Sequence, residues 1–344
     1  MLSYILKRLL LMIPTILGVL TVTFVIIQFV PGGPVETLLA EARAGAGGDS
    51  GTYQARRDID AAQVAELKAL YGFDKPPFER YLSMLKSFAQ FDLGKSFFRN
   101  KDVWTLIKEK LPVSISLGLW TFLLSYLISI PLGVAKAVRE GTRFDTLTTL
   151  LVLVGFAIPG FVLGVLLIVL FAGGSFLDWF PLRGLTSDNW TSLGWPARIT
   201  DYLWHMVLPL TCYAIGSFAI VTMLTKNTFV EEIRKQYVLV ARAKGLPEWR
   251  ILYKHVFRNA LIPIVTGFPA AFVSAFFAGS LLIETLFSLD GLGLLGYESI
   301  VRRDYPVVLG TLYFFTLLGL VVKLIGDLLY VVVDPRVQFG AVGK

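Results

Sequence analysis

Long apolar stretches dominate the hydropathy pattern of this 344-residue chain. Six of them are long enough to cross a bilayer, which takes roughly 20 mostly apolar residues. They lie at 9–30, 113–138, 147–172, 203–225, 261–283 and 307–332. The first far exceeds the roughly 7–15-residue core of a signal peptide, so we expect an uncleaved anchor. The pattern therefore predicts an all-α membrane protein with six transmembrane helices.

Composition agrees with this prediction. The chain is 55% hydrophobic and 17% charged, whereas a soluble domain is about 45–50% apolar and about 25% charged. Its single cysteine, Cys212, excludes an internal disulfide framework, and two histidines are too few for a His-rich metal cage. These features exclude an ordinary cytosolic enzyme, and we expect no catalytic, cofactor or metal site in this chain.

The distribution of basic residues predicts the orientation, because Lys and Arg accumulate in cytoplasmic loops. The loop 226–258 carries eight basic and three acidic residues, whereas 173–202 carries two and three. The region 31–110 is nearly balanced, with twelve basic and eleven acidic residues. We therefore expect both termini in the cytoplasm. The net charge of +7 marks topology, and a nucleic-acid partner is not needed to explain it.

Four regions follow from this topology. They are an N-terminal region with the first transmembrane helix (1–30), a periplasmic insertion (31–112), a transmembrane core (113–332) with a cytoplasmic loop at 226–260, and a cytoplasmic tail (333–344). The insertion has three apolar stripes at helical spacing. Their members are Val64, Leu67, Leu70 and Tyr71; Phe78, Tyr81, Leu82, Leu85 and Phe88; and Val103, Leu106, Ile107 and Leu111. Such short amphipathic helices either rest in the membrane interface or form a docking rim.

Within the insertion, Gly94-Lys95-Ser96 matches the end of a phosphate-binding loop. The first glycine of that motif is replaced by Ala89, and a helical stripe precedes it where a strand is required. We expect no nucleotide site there.

The cytoplasmic loop is the most informative segment. We predict a helix over 229–244, ended by Gly245 in the left-handed C′ position, and a second helix that begins at Pro247. The apolar face of the first helix comprises Ile233, Tyr237, Val240 and Ala241. This basic helix–turn–helix is either a positive-inside anchor or a lever that docks in a groove of a cytoplasmic partner.

Ionisable residues within or beside the spans are few. Lys323 and Asp327 stand four residues apart, which predicts a structural pair, with a relay as the alternative. Glu284 and His205 are expected near the outer ends of spans, where water is available, and their roles stay open. The sequence has neither a chain of buried acids for ion-driven transport nor a motor motif, so energy must come from another protein.

Six stretches together carry a resemblance to a known family. They are Leu6-Lys7-Arg8-Leu9-Leu10, Pro31-Gly32-Gly33-Pro34, Asp92-Leu93-Gly94-Lys95-Ser96-Phe97, Ala241-Arg242-Ala243-Lys244-Gly245-Leu246, Phe257-Arg258-Asn259-Ala260-Leu261-Ile262-Pro263 and Asp334-Pro335-Arg336. Over nearly its whole length the chain resembles the permease subunits of ABC importers of the dipeptide/oligopeptide/nickel family. The stretches 180–190 and 288–293 are most similar to the Yej-type B subunits, associated with oligopeptides and microcin C-like peptide antibiotics.

The resemblance implies a type I ABC importer permease fold in the bacterial inner membrane. It implies a heterodimer with a second, similar permease, either two cytoplasmic ATPase subunits or one fused ATPase, and a periplasmic peptide-binding protein. ATP and Mg²⁺ would be bound by the ATPases. The implied contact with them is Ala241, Arg242, Ala243, Lys244, Gly245 and Leu246. The usual coupling motif opens Glu-Ala-Ala, whereas this chain has Leu239-Val240-Ala241, so no motif glutamate is available.

Two other functions remain as alternatives. One is a permease for nickel–chelator complexes or other small solutes, although two histidines are few for metal capture. The other is a structural scaffold of a membrane complex. The residues that line a substrate path are not identified by the sequence.

Overall fold

The computed structural model describes residues 2–29, 74–174, 176–277 and 281–333, and within them the chain is helical. In chain order the α-helices are α1 Leu2–Phe29, α2 Pro77–Ala89, α3 Val103–Val138, α4 Arg143–Ala157, α5 Gly160–Phe171, α6 Trp195–Ile233, α7 Gln236–Ala243, α8 Glu248–Arg250, α9 Phe257–Ala260, α10 Ile262–Phe277, α11 Leu281–Leu286, α12 Leu292–Arg302 and α13 Tyr305–Val333. A 3-10 turn at Trp190–Ser192 precedes α6, and a π-helix at Ile251–Val256 joins α8 to α9. The stripe that begins at Val64 and the motifs 31–34 and 334–336 lie outside the described residues.

Four of the helices are long and apolar enough to cross a membrane. They are Tyr4–Phe29, Val103–Val138, Trp195–Ile233 and Tyr305–Leu328. They coincide with the first, second, fourth and sixth predicted stretches, so hydropathy located these spans correctly.

The third predicted stretch, 147–172, is not one straight helix. It consists of α4 and α5, which are bent by 96° to each other. Pro159 lies at the break, and a residue before proline is pushed out of helical geometry; Ile158 accordingly has ψ 118°. The fifth stretch corresponds to α10, of which the part with described side chains, Ile262–Phe272, is apolar and shorter than a full span. The described residues thus contain four spans, or five if α4 and α5 form one bent span.

The chain divides into two compact units. One comprises Pro112–Leu294 and the chain from Val321 onward. Inside it, one apolar cluster joins α3, α5, α6 and α11, and a second joins α3 and α6 to the segments from α7 to α9. The second cluster, called the coupling cluster below, comprises Val134, Ala137, Phe229, Val238, Ala241, Ile251, Val256 and Ala260.

The other unit comprises Leu2–Leu111 and Leu295–Leu320. Its helix α2 packs on α1, where the Tyr81 and Thr21 hydroxyls are 2.6 Å apart and Arg80 donates to Gln28 at 2.6 Å. Phe78, on the same helix, is exposed. The predicted stripe that begins at Phe78 therefore packs against α1 at Tyr81 but is exposed at Phe78.

The third stripe is not a separate surface helix, because it forms the first turns of α3. Val103, Leu106 and Ile107 are at most 2% exposed. A Cβ on Gly310 would lie 2.6 Å from the Val103 Cγ1 atom, so this stripe packs against another part of the protein.

The segment that mimics a phosphate-binding loop has a structural role. The Ser96 hydroxyl donates to the Asp304 carboxylate at 2.5 Å, and the Phe97 N–H donates to the same carboxylate at 3.1 Å. Gly94 has φ +77°, which allows the tight turn before this contact. The motif thereby fixes the start of α13.

Candidate functional site

The loop 226–260 does not form one helix over 229–244, so that prediction is wrong. Helix α6 ends at Ile233, and Lys235, with ψ 150°, precedes the separate helix α7. At this break the Tyr237 hydroxyl donates to Glu232 at 2.8 Å. Partial burial is the main reason that the pKa of Tyr237 is raised. The reorientation of the chain at the break changes which side of α7 is buried.

Val240 and Ala241 do not share one face of α7, as was predicted for a continuous helix. Val238 is fully buried and Ala241 is 8% exposed, whereas Val240 is 52% exposed. Leu239 beside it is 57% exposed. The break before α7 shifts the helical register, so Val238 joins the coupling cluster in place of Val240.

The turn after α7 matches its prediction. Gly245 has φ +73°, a conformation that costs glycine little because it lacks a Cβ. Its N–H donates to the Arg242 carbonyl at 2.9 Å, and the Leu246 N–H donates to the Ala241 carbonyl at 3.2 Å. These two bonds form a Schellman motif, which satisfies carbonyls at the helix end. Pro247 then precedes α8, as expected.

A salt bridge closes this turn from outside. The Arg242 guanidinium donates to both carboxylate oxygens of Glu248, at 2.6 and 3.2 Å. The hydrogen bond from Arg242 lowers the pKa of Glu248. Both side chains are exposed, so we expect this pair to orient the turn and to add little stability.

The outer side of the loop is apolar and basic. Two large aromatic side chains, Trp249 and Tyr253, are each 63% exposed here. We call the exposed set the coupling surface, and it comprises Leu239, Val240, Arg242, Ala243, Lys244, Gly245, Trp249 and Tyr253. Of the six predicted contact residues, Ala241 and Leu246 instead pack inward, on or within the coupling cluster. An exposed apolar face with a basic edge is typical of a protein-docking site.

Sequence analysis missed a buried charge cluster beside this loop. The Lys136 ammonium, at the end of α3, is 3.1 Å from the Asp145 carboxylate of α4. The Lys226 ammonium of α6 is 2.7 Å from the other oxygen of that carboxylate. The Lys136 side chain is fully buried and that of Asp145 is 8% exposed. In the sequence both lysines served only to predict the orientation. The one signal that could have indicated the cluster is that both lie at the ends of predicted spans.

Glu284 is not near water, contrary to expectation. It is 1% exposed, and its carboxylate accepts a hydrogen bond from the Leu294 N–H at 2.8 Å. The Ser114 hydroxyl accepts from the Leu292 N–H at 2.8 Å. These two side chains accept hydrogen bonds from backbone N–H groups in the first turn of α12. Such N–H groups have no acceptor within their own helix.

His205 is likewise buried, at 7% exposure. Its Nδ1 atom is 2.8 Å from the Asp201 carbonyl. The Asp201 carboxylate accepts from both the N–H and the hydroxyl of Ser187, at 2.9 and 2.5 Å. Activation of a serine nucleophile requires its hydroxyl on the imidazole, so this arrangement anchors a loop and does not build a hydrolase site.

The predicted ionisable pair of α13 consists of Lys323, which is exposed, and Asp327, which is half-buried.

A groove of about 740 Å³ lies among α3, α4 and α6. Its lining is mostly apolar and includes Trp120, Leu151, Met206 and Phe218. Recognition of peptide termini needs fixed charges or hydrogen-bonding groups. The groove is therefore suited to apolar contact rather than to recognition of peptide ends.

Comparison with known proteins adds independent findings. Residues 129–339 match the family model described as the binding-protein-dependent transport system inner membrane component. The chain is 54% identical to the peptidoglycan transport system permease protein YejB of Agrobacterium fabrum, with 98% of each chain covered. It is 52% identical to the inner membrane ABC transporter permease protein YejB of Escherichia coli O157:H7, with 98% of this chain and 99% of that protein covered.

More distant relatives extend the comparison. The oligopeptide transport system permease protein AppB of Bacillus subtilis is 34% identical, with 98% of this chain and all of that protein covered. Among solved structures, the inward-facing MetNI methionine ABC transporter matches with a TM-score of 0.50 and 17% identity, over 67% of this chain and 97% of that one. The structural match shows the fold of an importer permease.

Proposed function

Because the chain belongs to the binding-protein-dependent transport system inner membrane components and is the permease subunit of an inner-membrane ABC importer, we propose that it carries oligopeptides from periplasm to cytoplasm. The identity of 54% and 52% to two YejB permeases, over 98% of the chain, carries this proposal. The name of the Agrobacterium relative specifies peptidoglycan, which favours peptides of cell-wall origin as part of the cargo. Microcin C-like peptides are a further cargo of the same chemical class.

The proposed topology has six transmembrane helices with both termini in the cytoplasm. It treats α4 and α5 as one bent span and counts α10 as another. The eight basic residues of 226–258 support a cytoplasmic position for the loop that contains α7 and α8. The four proposed regions remain 1–30, 31–112, 113–332 and 333–344.

The coupling surface is the proposed contact with the ATPases. The turn at Gly245 holds Lys244 and Trp249 outward, while Ala241 and Leu246 fix the turn from inside. The contact proposed from sequence, 241–246, is therefore extended to Leu239, Val240, Trp249 and Tyr253. The proposed contact does not rely on a motif glutamate: its members are apolar or basic, and the exposed Glu248 beside them is paired with Arg242.

The proposed cycle assigns no covalent chemistry to this chain. ATP and Mg²⁺ bind in partner ATPases, which are either two subunits or one fused protein. Their closure displaces the coupling surface and opens the helices outward, where a periplasmic binding protein delivers peptide to this permease and its second, homologous permease. Hydrolysis returns the pair to the inward-open state.

One experiment tests the cargo and the assembly together. The chain is tagged and purified from its own membranes, and the assembled complex is reconstituted in vesicles with radiolabelled tri- to hexapeptides, cell-wall peptides or nickel in parallel. We expect ATPase subunits to co-purify and both kinds of peptide to be imported with ATP. Import of nickel alone would contradict peptide transport, and the absence of any ATPase subunit would favour a structural scaffold.

A further inference from the structure

The last turns of α3 have two faces that contact different elements. One face carries Val134 and Ala137, which belong to the coupling cluster and pack with Val238 and Ala241 of α7. The other face carries Lys136, which is directed to α4. The end of α3 therefore lies between the proposed coupling helix and the base of the bent pair α4–α5.

The Lys136 ammonium is fixed on several sides by the start of α4. It donates to the Asp145 carbonyl at 3.0 Å, to the Thr148 hydroxyl at 2.8 Å and to the Thr149 hydroxyl at 2.7 Å. An ammonium has three donors, so these bonds account for all of them. These contacts anchor the Lys136 side chain to the first turns of α4.

The Asp145 carboxylate connects this contact to a third helix. One oxygen pairs with Lys136, and the other accepts from Lys226 of α6 at 2.7 Å and from the Gly141 N–H at 3.2 Å. Apolar contacts are non-directional and permit sliding. Buried charges must stay paired and hydrogen-bonded. The base of α3, α4 and α6 is thus joined by the contacts that are costliest to break.

We infer that Lys136, Asp145 and Lys226 are positioning residues that transmit displacement of α7 into the transmembrane helices. The coupling cluster passes the motion from α7 to the end of α3. The buried pair then carries it from α3 to α4, and Lys226 moves α6 with them. This inference rests on the proposed function. Without the charge cluster, the motion of α7 is dissipated in sliding between helices.

The test measures peptide imported per ATP hydrolysed. The assembled importer is purified through a tag on this chain and placed in vesicles, with its binding protein and the radiolabelled tri- to hexapeptides. The variants are Asp145→Asn, Lys226→Gln and the milder Thr149→Val. Arg234→Gln is the matched control, because Arg234, directly after α6, and Glu140, in the turn between α3 and α4, also pair at 2.7 Å but are solvent-exposed.

For Asp145→Asn and Lys226→Gln we expect continued ATP hydrolysis, with a fall of about fivefold or more in peptide per ATP, the lower end of typical coupling between sites. Thr149→Val should fall less, and Arg234→Gln should match the wild type. If Asp145→Asn fails to assemble, Lys226→Gln and Thr149→Val decide the matter.

Unchanged peptide per ATP in the assembled variants overturns the inference. This includes an equal loss of the peptide-import rate and the ATP-hydrolysis rate, because that result indicates a merely structural cluster. A wild-type complex that imports no peptide overturns the proposed function and the inference with it, whereas wild-type import with unaltered variant ratios overturns the inference alone.

Discussion

Gly133 of α3 lies directly against Thr225 of α6. A Cβ built on Gly133 would be 2.5 Å from the Thr225 Cβ atom and 2.9 Å from the Thr222 carbonyl oxygen. Small residues allow helices in a membrane to approach this closely. The approach places the end of α3 beside α6, where Lys136 and Lys226 share Asp145.

We therefore expect Gly133→Ala to destabilise the protein. The added methyl must displace backbone as well as side chain, and overpacking of this kind costs about 1–3 kcal/mol. Thermal unfolding of the purified chain in detergent measures the effect. Gly216→Ala is the control, because a Cβ there meets nothing within 4 Å. Equal melting temperatures for the two variants would contradict the close contact.

Gly245→Val should strain the turn between α7 and α8. The left-handed conformation costs an L-residue roughly 1–2 kcal/mol. A Cβ added at Gly245 would meet nothing within 4 Å, so within this chain the expected cost is conformational. We expect lower peptide import per ATP in the reconstituted complex. Gly245→Asn should be tolerated, because asparagine adopts this conformation more readily. Full coupling in the valine variant would rule out a role for the turn.

Trp249→Ala tests the coupling surface. Trp249 is 63% exposed, so its removal should leave the melting temperature unchanged. A buried interface tryptophan typically contributes 2 kcal/mol or more, so we expect about thirtyfold weaker binding of the ATPase subunits. Co-purification with the tagged chain gives the measurement. Trp195, 77% exposed at the start of α6, supplies the control variant Trp195→Ala. Equal ATPase recovery from both would place the contact elsewhere.

Asp304 should make stability depend on pH. Burial raises its pKa despite the hydrogen bonds from Ser96 and Phe97. The folded state therefore binds this proton more tightly than the unfolded state, and the free energy of unfolding falls as pH rises from the usual aspartate range through the raised value. We expect Asp304→Asn to remove this part of the slope.

Melting temperatures at a series of pH values from about 4 to 7 test this expectation, because the effect is expected above the usual aspartate pKa of about 3.9. Asp102→Asn is the matched control, because Asp102 is exposed in the same unit. Identical pH profiles for wild type and Asp304→Asn would show that this carboxylate does not contribute.

Local patterns in the sequence predicted much of the fold. Hydropathy located the four long spans, because an apolar run of sufficient length has few alternatives in a bilayer. Gly245 and Pro247 predicted the turn, since each restricts the backbone by itself. The break after Ile233 was not predicted, because no glycine or proline marks it in 231–240. In the structure the Tyr237 hydroxyl donates to Glu232 across this break.

Burial of charged groups was decided by the tertiary structure alone. Glu284 is buried, and its carboxylate accepts a hydrogen bond from the Leu294 N–H, ten residues later in the chain. Lys136 and Lys226 are indistinguishable in sequence from the other basic residues at the ends of the spans and between them. They become a cluster only when Asp145 lies between them, 81 residues before Lys226. Hydrophobic spacing determines which segments enter the membrane, but which charges meet depends on how those helices pack, since pairing is a property of three-dimensional distance.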